Sequence, residues 1–97
     1  MKQNINANFF TMGMITKVKT YTTLSGKKMA VIHLEDLLGE YEIAVFPEVF
    51  SLFENVINVG EIVALKGQEE KDPDGTETII ASEIELYSDL ANEYTSK

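Results

Sequence analysis

The run Met29-Ala30-Val31-Ile32-His33-Leu34-Glu35-Asp36-Leu37-Leu38-Gly39-Glu40-Tyr41-Glu42-Ile43-Ala44-Val45-Phe46-Pro47 decides the fold. Ala30, Ile32 and Leu34 alternate with Met29, Val31, His33 and Glu35; past Gly39, Tyr41, Ile43 and Val45 alternate with Glu42, Ala44 and Phe46. Successive side chains leave a strand on opposite sides, so a period of two marks a strand with one buried face. Two such runs about a glycine-bearing turn predict a β-hairpin over 28–36 and 40–46, with Ala30, Ile32, Leu34, Ile43 and Val45 in the core. The opposite row faces outward, and a binding surface belongs there.

Upstream, Leu24-Ser25-Gly26-Lys27 reads as a hairpin loop, preceded by a long first strand over 9–22. Gly13 can relieve a bend in that strand, and the spacing of Ile15 and Val18 by three suggests a bulge. A bent, bulged first strand suits a small barrel, in which one strand curls to serve both halves of the sheet. Downstream, Pro47 suits the first position of a helix, and Val49, Phe50, Leu52, Phe53, Val56 and Ile57 recur at helical spacing over 47–57. Strands over 61–71 and 76–87 follow, joined by the type I turn sequence Asp72-Pro73-Asp74-Gly75. Val63, Leu65, Ile79, Ala81, Ile84 and Leu86 are their inward residues; Ile15, Val18 and Phe53 complete the expected core. Three strands, a short helix and two more strands predict an all-β, five-stranded OB-fold barrel with its helix between strands 3 and 4.

Ninety-seven residues with 44% hydrophobic content make one domain with a modest core. Residues 1–8 are expected to form a disordered leader, 9–87 the barrel domain and 88–97 a polar tail. No apolar run reaches the roughly 18 residues of a membrane helix, and no secretory signal opens the chain, which predicts a cytoplasmic protein without a membrane partner. The absence of cysteine excludes disulfides and thiolate chemistry, and a single histidine, His33, excludes His-rich metal sites. Glu69, Glu70, Asp72 and Asp74 lack the ligand spacing of a calcium loop and read as a solvated hairpin. No catalytic triad, phosphate loop, cofactor or metal site is expected.

The net charge of −8 is unevenly spread: residues 1–34 hold five lysines and no acid, whereas residues 35–97 hold all sixteen acids and three lysines. The two parts carry +5 and −13. Such asymmetry fits a one-sided field that attracts a polyanion, or simply a solvated surface.

Gly13-Met14-Ile15-Thr16-Lys17-Val18, the stretch Thr22 to Lys28, Met29-Ala30, Leu34-Glu35-Asp36, Gly39, Glu42 and Val45-Phe46-Pro47 together resemble the OB-fold domain in the C-terminal region of the bacterial DNA polymerase III alpha subunit. The resemblance covers about residues 9–87 and implies a module associated with single-stranded template DNA, in company with other domains or subunits of the replicative polymerase. It implies a fragment of a nucleotidyltransferase that lacks the catalytic parts. Family members often carry an aromatic residue where Val31 stands and arginines beside the first-strand lysines, whereas this chain has no arginine. Planar groups on which bases stack are therefore few.

The candidate nucleic-acid residues are Lys17, Lys19 and Tyr21 on one face of the first strand, Lys27 and Lys28 beside the first loop, and Val31, His33 and Phe46 on the hairpin. Lysines supply charge to phosphates; Tyr21, His33 and Phe46 offer planes for bases. The competing readings are surface lysine and barrel-edge aromatic. Two functions from different classes follow: a single-stranded DNA binding module that presents template to a replicative polymerase, and a protein-interaction OB module of the replication machinery with little nucleic-acid binding. Oligomeric state is left open by the sequence.

Overall fold

A computed structural model describes residues 5–88. The elements run β1 (Ile5–Thr22), β2 (Lys28–Asp36), β3 (Gly39–Val45), α1 (Pro47–Phe53), a single 3₁₀ turn (Glu54–Val56), β4 (Ile62–Lys71) and β5 (Glu77–Leu86). The strands close in the order β1-β2-β3-β5-β4, the expected OB-fold barrel with its helix between β3 and β4. β2 and β3 pair antiparallel with Ile32 opposite Ile43, and the barrel shuts where β3 meets β5 in parallel, Ile43 beside Ile79.

β1 serves both halves of the sheet. Its first part, Ile5 to Met14, pairs with β4, and its second, Met14 to Thr22, pairs with β2. The changeover carries the expected bulge, a register shift between Ile15 and Lys17. At Gly13 a side chain would collide with the Glu35 carbonyl and lie 2.7 Å from a Leu34 methyl carbon, so only glycine lets β1 cross β2 this closely. Gly67 is the corresponding corner of β4: an added Cβ would collide with the Ile80 carbonyl, beside the register shift between Lys66 and Gly67.

Two connections share one construction. In the β1–β2 loop Thr23 N–H bonds Lys27 O and Gly26 N–H bonds Thr23 O; in the β4–β5 loop Asp72 N–H bonds Thr76 O and Gly75 N–H bonds Asp72 O. Each is a turn completed by a glycine at positive φ, +87° at Gly26 and +94° at Gly75. The β2–β3 turn, Leu37-Leu38, is tied instead by Asp36, whose carboxylate accepts the N–H of Leu38 at 2.8 Å and of Gly39 at 3.1 Å while Thr11 Oγ1 of β1 donates to its other oxygen.

Ile15, Ala30, Ile32, Leu34, Ile43, Val45, Val63 and Leu65 are fully buried, as alternation predicts, and each large aliphatic among them contributes about 1.5–3 kcal/mol by leaving water. Ile79, Ala81 and Ile84 of β5 join them. Tyr41 is half-buried and meets Phe9 edge to face, ring centroids 5.2 Å apart.

Three expectations need correction. β1 begins at Ile5 rather than residue 9, because polar residues Asn6 and Asn8 still exchange backbone pairing with Glu70 and Gln68. The α-helix stops at Phe53 instead of 57: the chain tightens into a 3₁₀ turn, Ile57 N–H bonding Glu54 O, which turns Ile57 into the core. With the helix so short, Phe50 is its buried residue, while Phe53, like Val18 and Leu86, packs at the rim. Of the expected leader, residues 1–4 lie outside the described residues, as do 89–97 of the expected tail.

Replacing Gly13 or Gly67 by alanine is expected to destabilise the barrel by about 1–3 kcal/mol each, since backbone rather than a flexible side chain must yield. Urea unfolding checks this, and wild-type midpoints would remove these corners from the account. Acid should also loosen the β2–β3 turn. The Thr11 hydroxyl above all, then the Leu38 and Gly39 amides and Tyr41, hold the Asp36 carboxyl below its ordinary 3.8 against a partial desolvation that raises it. A depressed carboxylate stabilises the fold above its unfolded value and loses that contribution as pH falls through the folded one. Asp36→Asn should therefore melt below wild type at neutral pH, and the gap should narrow below about pH 4.

Candidate nucleic-acid interface

The bulge in β1 decides which side chains share a face. After it the strand resumes strict alternation, so Lys17, Lys19 and Tyr21 project outward in register with His33, Val31 and Met29 of β2. β3 extends these rows: Glu42 stands opposite His33 and Ala44 opposite Val31, with Phe46 following where β3 ends. Three ranks result, Lys17–His33–Glu42, Lys19–Val31–Ala44, and Tyr21–Met29 with Phe46 at the edge. Tyr21 and Phe46 are 47% and 44% exposed, enough to offer a ring to a base.

Lys27 and Lys28 lie elsewhere. Lys28 shares the strand parity of inward-facing Ala30, and with Lys27 it lines a cleft of about 380 Å³ against Pro47, Glu48, Phe50 and Glu54 of the helix region. These two lysines stand apart from the ranks that hold Lys17 and Lys19. Among the described residues, none of these four lysines forms an ion pair, whereas Lys66 is 4.0 Å from Glu83 and Lys71 is 3.9 Å from Glu77.

Two acids belong to this face that sequence reasoning passed over. His33 Nδ1 lies 3.9 Å from Glu40 and Nε2 lies 3.7 Å from Glu42. Thr16 Oγ1, in the bulge, also donates to Glu40 at 3.1 Å. The signal was present in the hairpin, because a turn at Leu37-Leu38 sets Glu42 directly across from His33. Rings thus gather at the Tyr21 end of the face, carboxylates at the His33 end, and Lys17 and Lys19 stand in successive ranks between them. Among the described residues, no group of three or more His, Asp or Glu is gathered as a metal site would require, and no helix is long and apolar enough to cross a membrane.

The family profile described as "OB-fold nucleic acid binding domain" matches residues 11–87. The chain belongs to this family. It is 35% identical over 77 residues to the DNA polymerase III subunit alpha of Bacillus subtilis (strain 168), a match that takes in 79% of this chain and 7% of that protein. The chain therefore corresponds to a small segment of that relative. Among solved structures it resembles the mitochondrial single-stranded DNA binding protein Rim1 of S. cerevisiae, with a TM-score of 0.67 at 18% identity over 84% of this chain and 93% of that one. It also resembles the second OB-fold domain of replication protein A from Methanococcus maripaludis, with a TM-score of 0.50 at 18% identity over 90% and 84% of the two chains. At these identities the likeness is one of fold.

If nucleic acid crosses these ranks, Glu40 and Glu42 repel its phosphates. Glu40→Gln combined with Glu42→Gln is expected to tighten binding of a single-stranded oligonucleotide several-fold at low salt, with the gain shrinking as salt screens it. Fluorescence anisotropy measures this; unchanged affinity would place the strand away from β3.

Proposed function

We propose that this chain is a single-stranded DNA binding module of a replicative DNA polymerase, holding template strand for a catalytic centre that lies outside it. The observation that carries the reading is the bank of Lys17, Lys19 and Tyr21 in register with His33, Val31 and Met29, two cations that pair with no carboxylate among the described residues, beside a ring and apolar side chains. Phosphates can follow the lysines while bases lie over Tyr21, Met29 and Phe46, the combination of charge track and stacking platform that suits single strands. The identity with a polymerase III alpha segment supports DNA and a replicative setting. In this reading residues 9–87 are the binding unit, which performs no chemistry of its own and works alongside other polymerase domains.

Binding is weak by construction. Lys17, Lys19, Lys27 and Lys28 can neutralise at most four phosphates, so the slope of log K against log salt should be no steeper than about 3 for single strands. If only Lys17 and Lys19 are used, it falls to about 1.4. Lys17→Glu with Lys19→Glu should abolish the salt-dependent part, Tyr21→Ala should cost about 1–3 kcal/mol, and Lys66→Glu with Lys71→Glu should change little. Anisotropy titrations at low and high salt test all three. Equal losses from both lysine pairs, or no binding to a long oligonucleotide at low salt, would overturn the proposal.

A further inference from the structure

On the other side of the bend in β1 the outward residues are apolar where a solvated strand would be polar. Phe10, Met12 and Met14 are 62%, 41% and 42% exposed, and Ile62 of β4 is 45% exposed. The register sets them in two adjoining rows, Met14 beside Ile62, Met12 beside Ala64 and Phe10 beside Lys66. Past Phe10 the face deepens into a cleft of about 470 Å³ walled by β4 and by Ile80 of β5. Contiguous apolar surface inside a polar rim marks an interaction site.

The rim is acidic. Glu35 adjoins Met14 from β2, Glu85 adjoins Ala64 and Glu83 adjoins Lys66 from β5, and Glu70 lines the cleft. The one cation in these rows, Lys66, is already paired with Glu83.

We propose that Phe10, Met12, Met14 and Ile62, with their acidic rim, dock a basic polypeptide segment that carries apolar side chains. The carboxylates exclude nucleic acid here. A second copy is disfavoured too, because a two-fold interface sets the same patch against itself and would bring acidic rim onto acidic rim. The strands of the barrel close on one another, so the segment engages through side chains rather than by adding a strand. Flexible Met12 and Met14 suit that mode, since unbranched thioethers adapt to an incoming surface.

The test titrates the isotope-labelled chain, followed by NMR, with a synthetic peptide alternating lysine with valine, leucine and phenylalanine. A lysine–serine peptide serves as the charge-only control. Saturable shifts are expected at the amides of 8–14 and 62–66. Met14→Ser with Ile62→Ser should weaken binding about tenfold, equivalent to about 1.4 kcal/mol, with oligonucleotide affinity retained as the sign of an intact barrel. Glu35→Gln with Glu85→Gln, which leaves the apolar rows in place, should weaken it as well. Equal binding of the lysine–serine peptide, shifts spread over all acidic surfaces, or self-association of the chain alone that Met14→Ser with Ile62→Ser abolishes would each overturn the proposal.

Discussion

The structure depends on a near-contact of two backbones. Where β1 crosses β2 at Gly13, the Glu35 carbonyl occupies the space that any side chain would need. Because the two chains can come so close, β1 turns from β4 to β2 within a few residues, and the bulge after Ile15 then resets its alternation. Without that reset Lys17, Lys19 and Tyr21 would face the core and Val18 the solvent. A steric allowance at one glycine and one extra residue in a ladder thus place a cationic row on the surface and divide a single strand between two outer faces of unlike chemistry.

Those two faces account for the uneven charge. The acid-free first third of the chain supplies β1 and most of β2, so Lys17 and Lys19 stand where these strands run side by side, with Lys27 and Lys28 beside the helix. The acid-rich remainder supplies β3, β4 and β5, and its carboxylates line one margin of the lysine face and surround the apolar rows. A net charge of −8 is therefore compatible with a polyanion on one side, since beyond about 8 Å at physiological ionic strength the distant acids are largely screened. Glu40 and Glu42 are near enough to escape that screening, which makes them more consequential for the strand than the acids of β5.

Much of the barrel was legible because its signals are local. Alternation in β2 and β3 needs only neighbouring residues, and the spacing of Ile15 and Val18 reveals the bulge by breaking that alternation. What stayed hidden depends on contacts between distant parts of the chain. Gly67 looks like any strand glycine until Ile80 is laid against it, and the early start of β1 rests on backbone pairing with β4 that polar Asn6 and Asn8 do not advertise. Val56 and Ile57 continue the helical apolar period although the α-helix ends at Phe53, because the chain tightens there to deliver Ile57 inward. In the site, strand parity brought Lys17, Lys19, Tyr21, Val31 and His33 together as the spacing suggested. The same parity carried Lys28 to the helix side, a consequence of its standing two residues before buried Ala30.

The division of β1 also sets an order of events in time. The β2–β3 hairpin turns through Leu37-Leu38 alone and can form in about 1–10 μs. The pairing of Ile5–Met14 with Ile62–Lys71 must wait until nearly the whole intervening chain has been gathered, because loop-closure entropy opposes it until then. The first half of β1 accordingly makes the most distant pairing of the barrel, reaching from Ile5 to Lys71. Until it seats, one edge of β4 stands open to any passing strand, and that interval is when this domain is most exposed to mispairing with a neighbour.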